Sequence, residues 1–219
     1  ETPVLKLQDH LVKTLHATVK GNTIVVCADR FIPSLGKLTK EIYQVQNFLL
    51  ISQALTDQEI YTIFPKTKLM IWDTELIYNF YRITGNRLLV GGGSAWYAYN
   101  SIASHHNEYM YKKLTRYVTD TFPGLKIQFE QFWPGLIGIS KDIAPVIGYD
   151  KEMQSIYYIG APAGLTVAAM LGNYCADYIV DKNDTLKDYF SPYRTFKIGG
   201  ILQSILGTKI SFALSNFMH

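Results

Sequence analysis

The segment from Ser155 to Val180, SIYYIGAPAGLTVAAMLGNYCADYIV, constrains the fold more than any other part of the chain. It opens with a short apolar run and then passes through a loop of glycine, alanine and proline. Beyond the loop, apolar residues recur at helical spacing, at Val167, Met170, Leu171, Tyr174, Cys175 and Tyr178. The segment therefore predicts a buried strand, a tight loop and an amphipathic helix, in that order.

The start of this predicted helix, near Gly164, has the properties of a site for a negative group. Glycine adopts backbone angles that other residues resist, and it lets a ligand approach the main chain closely. The first amides of a helix are unpaired and carry partial positive charge. They suit a group that is negative or becomes negative. Taken alone, however, the segment is better explained by an ordinary strand–helix turn that binds nothing.

The patterns in the rest of the chain predict a mixed α and β fold. Apolar runs flanked by glycine and asparagine predict two hairpins, one from residues 14–19 and 23–28 and one from 77–83 and 87–90. Helical spacing predicts a helix over residues 108–121 and a second one near the C-terminus. Further strands are predicted over 46–55, 127–132 and 156–159.

Composition excludes several classes of protein. Hydrophobic residues make up 48% of the chain and charged residues 18%, which favours a well-buried core over disorder. The net charge of +3 is scattered, so neither a nucleic-acid nor an anionic-membrane surface is predicted. No apolar run reaches the roughly 20 residues that a membrane span needs. The chain begins at Glu1 rather than Met, and we expect a piece of a longer protein.

Few side chains stand out as reactive. Cys27 and Cys175 lie in apolar segments and are predicted to be buried free thiols in a reducing, cytoplasmic compartment. No metal-ligand spacing and no Ser–His–Asp or Cys–His arrangement is present. The run of glycines at 91–93 lacks the ending of a phosphate-binding loop, so such a loop is not predicted there. Lys66, Lys68 and Lys141 are predicted to be solvated.

Several segments together have a familiar order. In sequence they read TIVVCA, RLLVGGG, FPGL, WPGL, DIAPVIG and IYYIGAPAGLTV. This order and spacing resemble the C-terminal half of the D-amino-acid oxidase-like family of FAD-dependent oxidoreductases. The branch that contains γ-glutamylputrescine oxidoreductase and related amine oxidases is the most similar, and the tail RTFKIGG resembles the tail of that branch.

The resemblance implies that the chain is a fragment of a two-domain flavoprotein. Its expected fold class is α/β, with helices and a mixed sheet (mixed α+β). Residues 1–30 would be strands of the FAD domain, and residues 31–137 would form a substrate-binding domain on a mixed, largely antiparallel sheet. Residues 138–190 would return to the FAD domain with its closing strand and helix, and residues 191–219 would be a helical tail. The missing N-terminal half would carry the rest of the FAD domain.

The resemblance also implies a site. FAD would be held non-covalently at the helix start, and the residues concerned would be Gly135, Ala161, Pro162, Ala163, Gly164, Leu165 and Thr166. When flavin accepts a hydride, negative charge gathers on its pyrimidine edge, which helix amides would stabilise. Trp96, Trp133 and Ile137 would line the substrate pocket, although core positions are an equal alternative for the two tryptophans.

Departures from the family pattern shape the functional expectation. Of the three glycines in the family loop only Gly164 is present. Ala161 is tolerable there if its backbone angles are ordinary, and Thr166 would narrow the approach to the ring. Ile137 stands where amino-acid-oxidising relatives place an arginine, and an aliphatic side chain cannot pair with an α-carboxylate. The expected substrate is therefore a small amine or N-substituted compound.

The alternative is a non-catalytic module that binds a ligand or a protein and whose flavin site has decayed. In either case the fragment alone is expected to be inactive. The surface meant for the missing half would be exposed, which favours dimerisation.

Overall fold

The computed structural model describes residues 2–74, 78–93, 107–162, 164–195 and 200–217. The chain divides into two compact units. The split unit consists of Glu1–Gln44 and Ile137–Met218, and the central unit consists of Val45–Leu136. Among the described residues, no helix combines the length and the apolar character that crossing a membrane requires.

The regular elements are numbered in chain order. The strands are β1 (Val4–Gln8), β2 (Leu11–Thr14), β3 (Thr18–Lys20), β4 (Ile24–Val26), β5 (Ile42–Ala54), β6 (Ile71–Trp72), β7 (Phe80–Thr84), β8 (Arg87–Gly92), β9 (Phe129–Ser140), β10 (Val146–Tyr149) and β11 (Ile156–Gly160). The helices are α1 (Asp57–Ile63), α2 (Glu108–Thr121), α3 (Leu165–Asp181), α4 (Lys187–Phe190) and α5 (Gly200–Phe217), and α5 is kinked at Gly207, where φ is 74°. Two short 3-10 turns, Asp29–Phe31 and Pro33–Leu35, follow β4.

A five-stranded sheet with the order β6-β7-β8-β5-β9 supports the central unit. The hairpin of β7 and β8 turns at Gly85 and Asn86 and confirms the second predicted hairpin. Gly91 pairs with Phe80 across this hairpin, and a Cβ at Gly91 would collide with the Phe80 ring. The glycine run is thus a buried strand end that makes room for an aromatic ring.

Helix α2 covers one face of the core of the central unit. Its predicted bounds are confirmed, and the side chain of Asn107 caps it by accepting a hydrogen bond from the Met110 amide at 3.0 Å. Met110, Leu114 and Val118 are buried against side chains of β5 and β8. Burying a side chain of this size stabilises the fold by roughly 1.5–3 kcal/mol, so this stripe fixes the helix on the sheet.

The split unit contains two three-stranded sheets. One has the order β1-β2-β3 and is antiparallel. The other has the order β10-β11-β4, in which β10 is antiparallel to β11 and β4 is parallel to it. The first predicted hairpin is therefore wrong: β3 pairs with β2, whereas β4 leaves the local turn and pairs with β11. All three residues of β3 are exposed, so β4 gains more burial beside β11.

Strand β11 is buried at every residue because both faces of its sheet are covered. Ile156 and Tyr158 face one apolar cluster, which includes Val26. Tyr157 and Ile159 face another cluster, formed with α3. The continuous apolar run that predicted this strand is the consequence of that double burial.

Helix α3 begins at Leu165, where the sequence predicted it, but its apolar stripe is only partly inward. Leu171, Tyr174 and Cys175 are buried, whereas Met170 is exposed. The expectation of two buried cysteines is half wrong, because Cys175 is buried and Cys27 is exposed. Cys27 directly follows β4, which is an edge strand of its sheet in the described part of the chain.

Candidate functional site

The loop from β11 to α3 carries the residues that the sequence singled out. Gly160 ends β11 against the Ile42 side chain, and a Cβ there would lie 2.7 Å from Ile42 Cδ1. Ala161 follows with φ 48° and is buried. Its backbone angles are not ordinary, so the condition under which alanine was expected to cost little is not met. A non-glycine residue in this left-handed region costs about 1–2 kcal/mol.

The start of α3 is open. Gly164 is the N-terminal cap with φ 119° and ψ 168°, a conformation that a residue with a Cβ rarely adopts. No side chain of the described residues caps the helix, and its first internal hydrogen bond runs from the Ala168 amide to the Gly164 carbonyl at 2.9 Å. Leu165 is 91% exposed and Thr166 is exposed. The amides of Leu165 and Thr166 can therefore donate to an incoming negative group.

Asp29, which the sequence did not single out, is bonded to this loop. Its carboxylate accepts hydrogen bonds from the Ala161 amide at 3.0 Å and from the Gly138 amide at 2.9 Å. The close contact requires glycine at 138, because a Cβ there would collide with the carboxylate. The Ala161 amide is thus occupied, and the open donors lie further along, at the start of α3.

Asp29 itself has φ 44°, so two neighbouring left-handed residues, Asp29 and Ala161, are joined by a hydrogen bond. Residues held in such conformations persist only where the surroundings over-determine them. The signal for Asp29 was its place directly after a buried strand. That signal was hidden because β4 was predicted to pair locally, and only its parallel pairing with β11 brings Asp29 to the loop.

The other predicted site residues lie on β9 or outside the described residues. Trp133 and Gly135 belong to the central unit and are half-buried. Ile137 belongs to the split unit and is 40% exposed, so its side chain is accessible. Trp96 and Ala163 lie outside the residues that the structure describes.

Lys141 corrects another expectation. It was predicted to be solvated, but it is only 2% exposed, and its Nζ donates to Gln203 Oε1 at 2.6 Å. The Gln203 amide nitrogen donates in turn to the Tyr43 hydroxyl at 2.7 Å and to the Lys40 carbonyl at 3.2 Å. Burial lowers the pKa of Lys141. The hydrogen bond from Lys141 to Gln203 thus helps hold α5 against the rest of the split unit. Lys66 and Lys68 are exposed, as predicted.

The turn after β9 is fixed by an ion pair. Arg194 binds the Asp142 carboxylate through two nitrogens, at 2.7 and 2.8 Å, and also donates to the carbonyls of Ala144 and Pro145. Burial alone would raise the pKa of Asp142, but hydrogen bonds from Arg194 and Ser140 and the charge of Arg194 lower it overall. This forked pairing secures the segment that leads from β9 into β10.

Known structures share this fold. The chain is similar to L-proline dehydrogenase from P. horikoshii, with 19% identity, a TM-score of 0.70, and coverage of 88% of this chain and 53% of that one. It is similar to glycine oxidase from Geobacillus kaustophilus, with 18% identity, a TM-score of 0.70, and coverage of 89% and 52%. It is also similar to iminodiacetate oxidase from Chelativorans sp. BNC1, with 13% identity and a TM-score of 0.63. That match covers 83% of this chain and 49% of the other. No family model and no curated protein sequence matches the chain.

These likenesses confirm the fold class expected from the sequence. The mixed α and β architecture is that of the C-terminal half of oxidases of the D-amino-acid oxidase type, and the chain spans about half the length of the structures it matches. At identities below 20% the likeness defines the fold, and any function must be argued from the residues themselves.

Proposed function

We propose that the chain is the C-terminal part of an FAD-dependent oxidoreductase that oxidises the C–N bond of an amine or N-substituted substrate. The observation that carries the proposal is the open, uncapped start of α3 at Gly164, on a fold that oxidases share. Bound FAD would supply the hydride acceptor, and the reduced form carries negative charge. The chain's contribution would be the free amides of Leu165 and Thr166, which would stabilise that charge.

In this proposal residues 1–30 and 138–190 belong to the cofactor domain, residues 31–137 to the substrate domain, and residues 191–219 to a tail. The remainder of the cofactor domain would come from the missing N-terminal half of the full-length protein. Several exposed apolar side chains of the split unit support such a docking surface: Val25 on β4 and Leu165, Met170 and Val180 on α3. Without that half, the same surface would favour dimerisation.

The proposed substrate class rests on Ile137. An exposed isoleucine offers an apolar wall and has no donor for an α-carboxylate. The proposal therefore favours an amine or N-substituted compound over a simple α-amino acid. Efficient oxidation of glycine or D-alanine by the parent protein would contradict this part of the proposal.

The test uses the longest natural polypeptide that contains this sequence. We expect a yellow protein that releases FAD on denaturation, whereas the 219-residue chain alone should not bind FAD with submicromolar affinity. Gly164→Ala should weaken FAD binding at least tenfold, because alanine is strained at φ 119°. Gly172→Ala is the matched control, since Gly172 lies within α3 with open space around it.

The competing candidate, a binding module with a decayed flavin site, is favoured by one observation. Asp29 occupies the Ala161 amide and places a carboxylate on the loop that would otherwise meet the cofactor. A colourless parent protein that neither contains nor binds FAD would support this candidate and overturn the proposed oxidoreductase.

A further inference from the structure

A cavity of about 310 Å³ lies in the split unit, away from the start of α3. Its walls come from β10, the turn that follows it, β11, the second half of α3, the start of α4 and the segment after α4. Tyr178, on one wall, is about 20 Å further along the helix than Leu165, at 1.5 Å per residue. The cavity is therefore separate from the proposed flavin site, and its volume lies within the range that small-molecule sites occupy.

Tyrosine rings form the inner wall of this cavity. Tyr149 and Tyr157 meet edge to face, with ring centroids 4.8 Å apart and an interplanar angle of 87°. Tyr178 lies 5.6 Å from each of them, and Tyr174 lies 6.4 Å from Tyr178. A cluster of rings in mixed orientations presents both faces and edges, which suits an aromatic guest.

The cluster also offers hydrogen-bond donors. The Tyr174 hydroxyl accepts from the Leu186 amide at 3.2 Å. Within the part of the chain that the structure describes, the hydroxyls of Tyr149, Tyr157 and Tyr178 make no hydrogen bond. Tyr157 is only 2% exposed as a whole residue and lines the cavity, so its hydroxyl is a donor available to a ligand there. Burial raises the pKa of Tyr157 and of Tyr149, which keeps both phenols protonated.

The charge on the lining is positive. Lys151 and Lys187 both line the cavity, and neither forms an ion pair with any described residue. The acidic residue of the lining, Asp150, is already engaged: it accepts from the Tyr158 hydroxyl at 2.7 Å and pairs with Lys37 at 3.4 Å. The Lys151 Nζ lies over the Tyr193 ring, 4.2 Å from its centroid. Two ammonium groups without an acidic partner among the described residues disfavour a cationic guest and attract an anionic one.

We propose that this cavity binds a small aryl carboxylate, with its ring against Tyr149, Tyr157 and Tyr178 and its carboxylate towards Lys151 and Lys187. The ring satisfies the aromatic wall, and the carboxylate accepts from the phenols and the ammonium groups. A neutral aromatic compound would leave the lysines unpaired, and an aliphatic acid would leave the rings without a stacking partner. The site does not depend on the proposed oxidoreductase activity.

Isothermal titration calorimetry of the chain with 2-naphthoate and 2-naphthamide tests the proposal, because the two probes share their rings and differ in charge. We expect 2-naphthoate to bind at least tenfold more tightly, and the difference to shrink as salt is added. Lys187→Gln and Tyr157→Phe should each weaken 2-naphthoate binding severalfold. Lys68→Gln removes an exposed lysine of the central unit and should leave binding unchanged.

Equal affinity for the two probes, or no binding of either, would overturn the proposal. Binding of 2-naphthoate that survives both Lys187→Gln and Tyr157→Phe would place the ligand elsewhere on the protein and would refute it as well. Lys187 is exposed, so Lys187→Gln is not expected to disturb folding. Thermal unfolding of each variant separates loss of the site from loss of the fold.

Discussion

Replacing Asp29 by glycine should loosen the loop that leads into α3. Asp29 has φ 44°, which glycine adopts without strain, so the substitution removes the carboxylate and leaves the backbone conformation accessible. What is lost is the pair of hydrogen bonds from the amides of Gly138 and Ala161, at 2.9 and 3.0 Å. The experiment therefore isolates the carboxylate from the conformational preference of its residue.

The expected magnitude follows from those two bonds. A hydrogen bond to an ionised carboxylate contributes roughly 1.5–3 kcal/mol. The backbone strain relieved at Asp29 and the added freedom of glycine in the unfolded chain are each about 1 kcal/mol and oppose one another. Two such bonds together contribute roughly 3–6 kcal/mol. Asp29 is partly exposed, which places the expected loss at the lower end of that combined range. We expect the free energy of unfolding to fall by about 3 kcal/mol.

Urea unfolding of the Asp29→Gly variant measures the loss, and amide hydrogen exchange locates it. The amides of Gly138 and Ala161 should lose protection, because both are acceptor-less once the carboxylate is gone. Asp184→Gly is the matched control: Asp184 is exposed in a loop, and its replacement should cost no more than about 1 kcal/mol. A loss below about 1 kcal/mol for Asp29→Gly, with exchange of both amides unchanged, would refute this account of the loop.

Two further predictions concern Lys141 and Gly91. Burial lowers the pKa of Lys141 below its unfolded value near 10.5, so between the two values the unfolded chain binds more protons and the free energy of unfolding rises with pH. Chemical unfolding measured from pH 8 to about 10.5 should show the free energy of unfolding rising with pH in the wild type and in Lys68→Met, the control at an exposed lysine. A Lys141→Met variant whose free energy of unfolding rises in the same way would contradict the prediction. Gly91→Ala should destabilise the central unit by about 1–3 kcal/mol, because the added Cβ meets the Phe80 ring. The control is Gly135→Ala, whose Cβ would meet open space, and Gly91→Ala should have the lower melting temperature in thermal unfolding. Equal melting temperatures for the two variants would argue against a collision between the new Cβ and the Phe80 ring.

Elements defined by contacts close in sequence were predictable. The bounds of α2 follow from the Asn107 cap and from the spacing of Met110, Leu114 and Val118, all within four turns of one helix. The hairpin of β7 and β8 follows from a glycine-containing turn between two apolar runs. The open start of α3 was also predictable, since Gly164 marks the position where a strand–loop–helix pattern changes period.

Contacts between distant segments decided the rest. Strand β4 carries an apolar run that fits a local hairpin or a buried parallel pair equally well, and only the position of Ile156 beside Ile24 selects the second. Asp29 and Lys141 look like ordinary surface residues in sequence. They become structural because segments far along the chain supply amides to the one and a buried acceptor to the other.

The sequence by itself thus determined the strand–loop–helix unit, the helix on the central sheet and the general class of fold. These depend on the period of apolar residues and on glycine at turns, which are properties of neighbouring residues. The tertiary structure alone decided which strand lies beside β11, which amides of the loop remain free, and that five tyrosines line one cavity. Those features depend on which surfaces are buried together, and a linear pattern records the preference for burial without recording the partner.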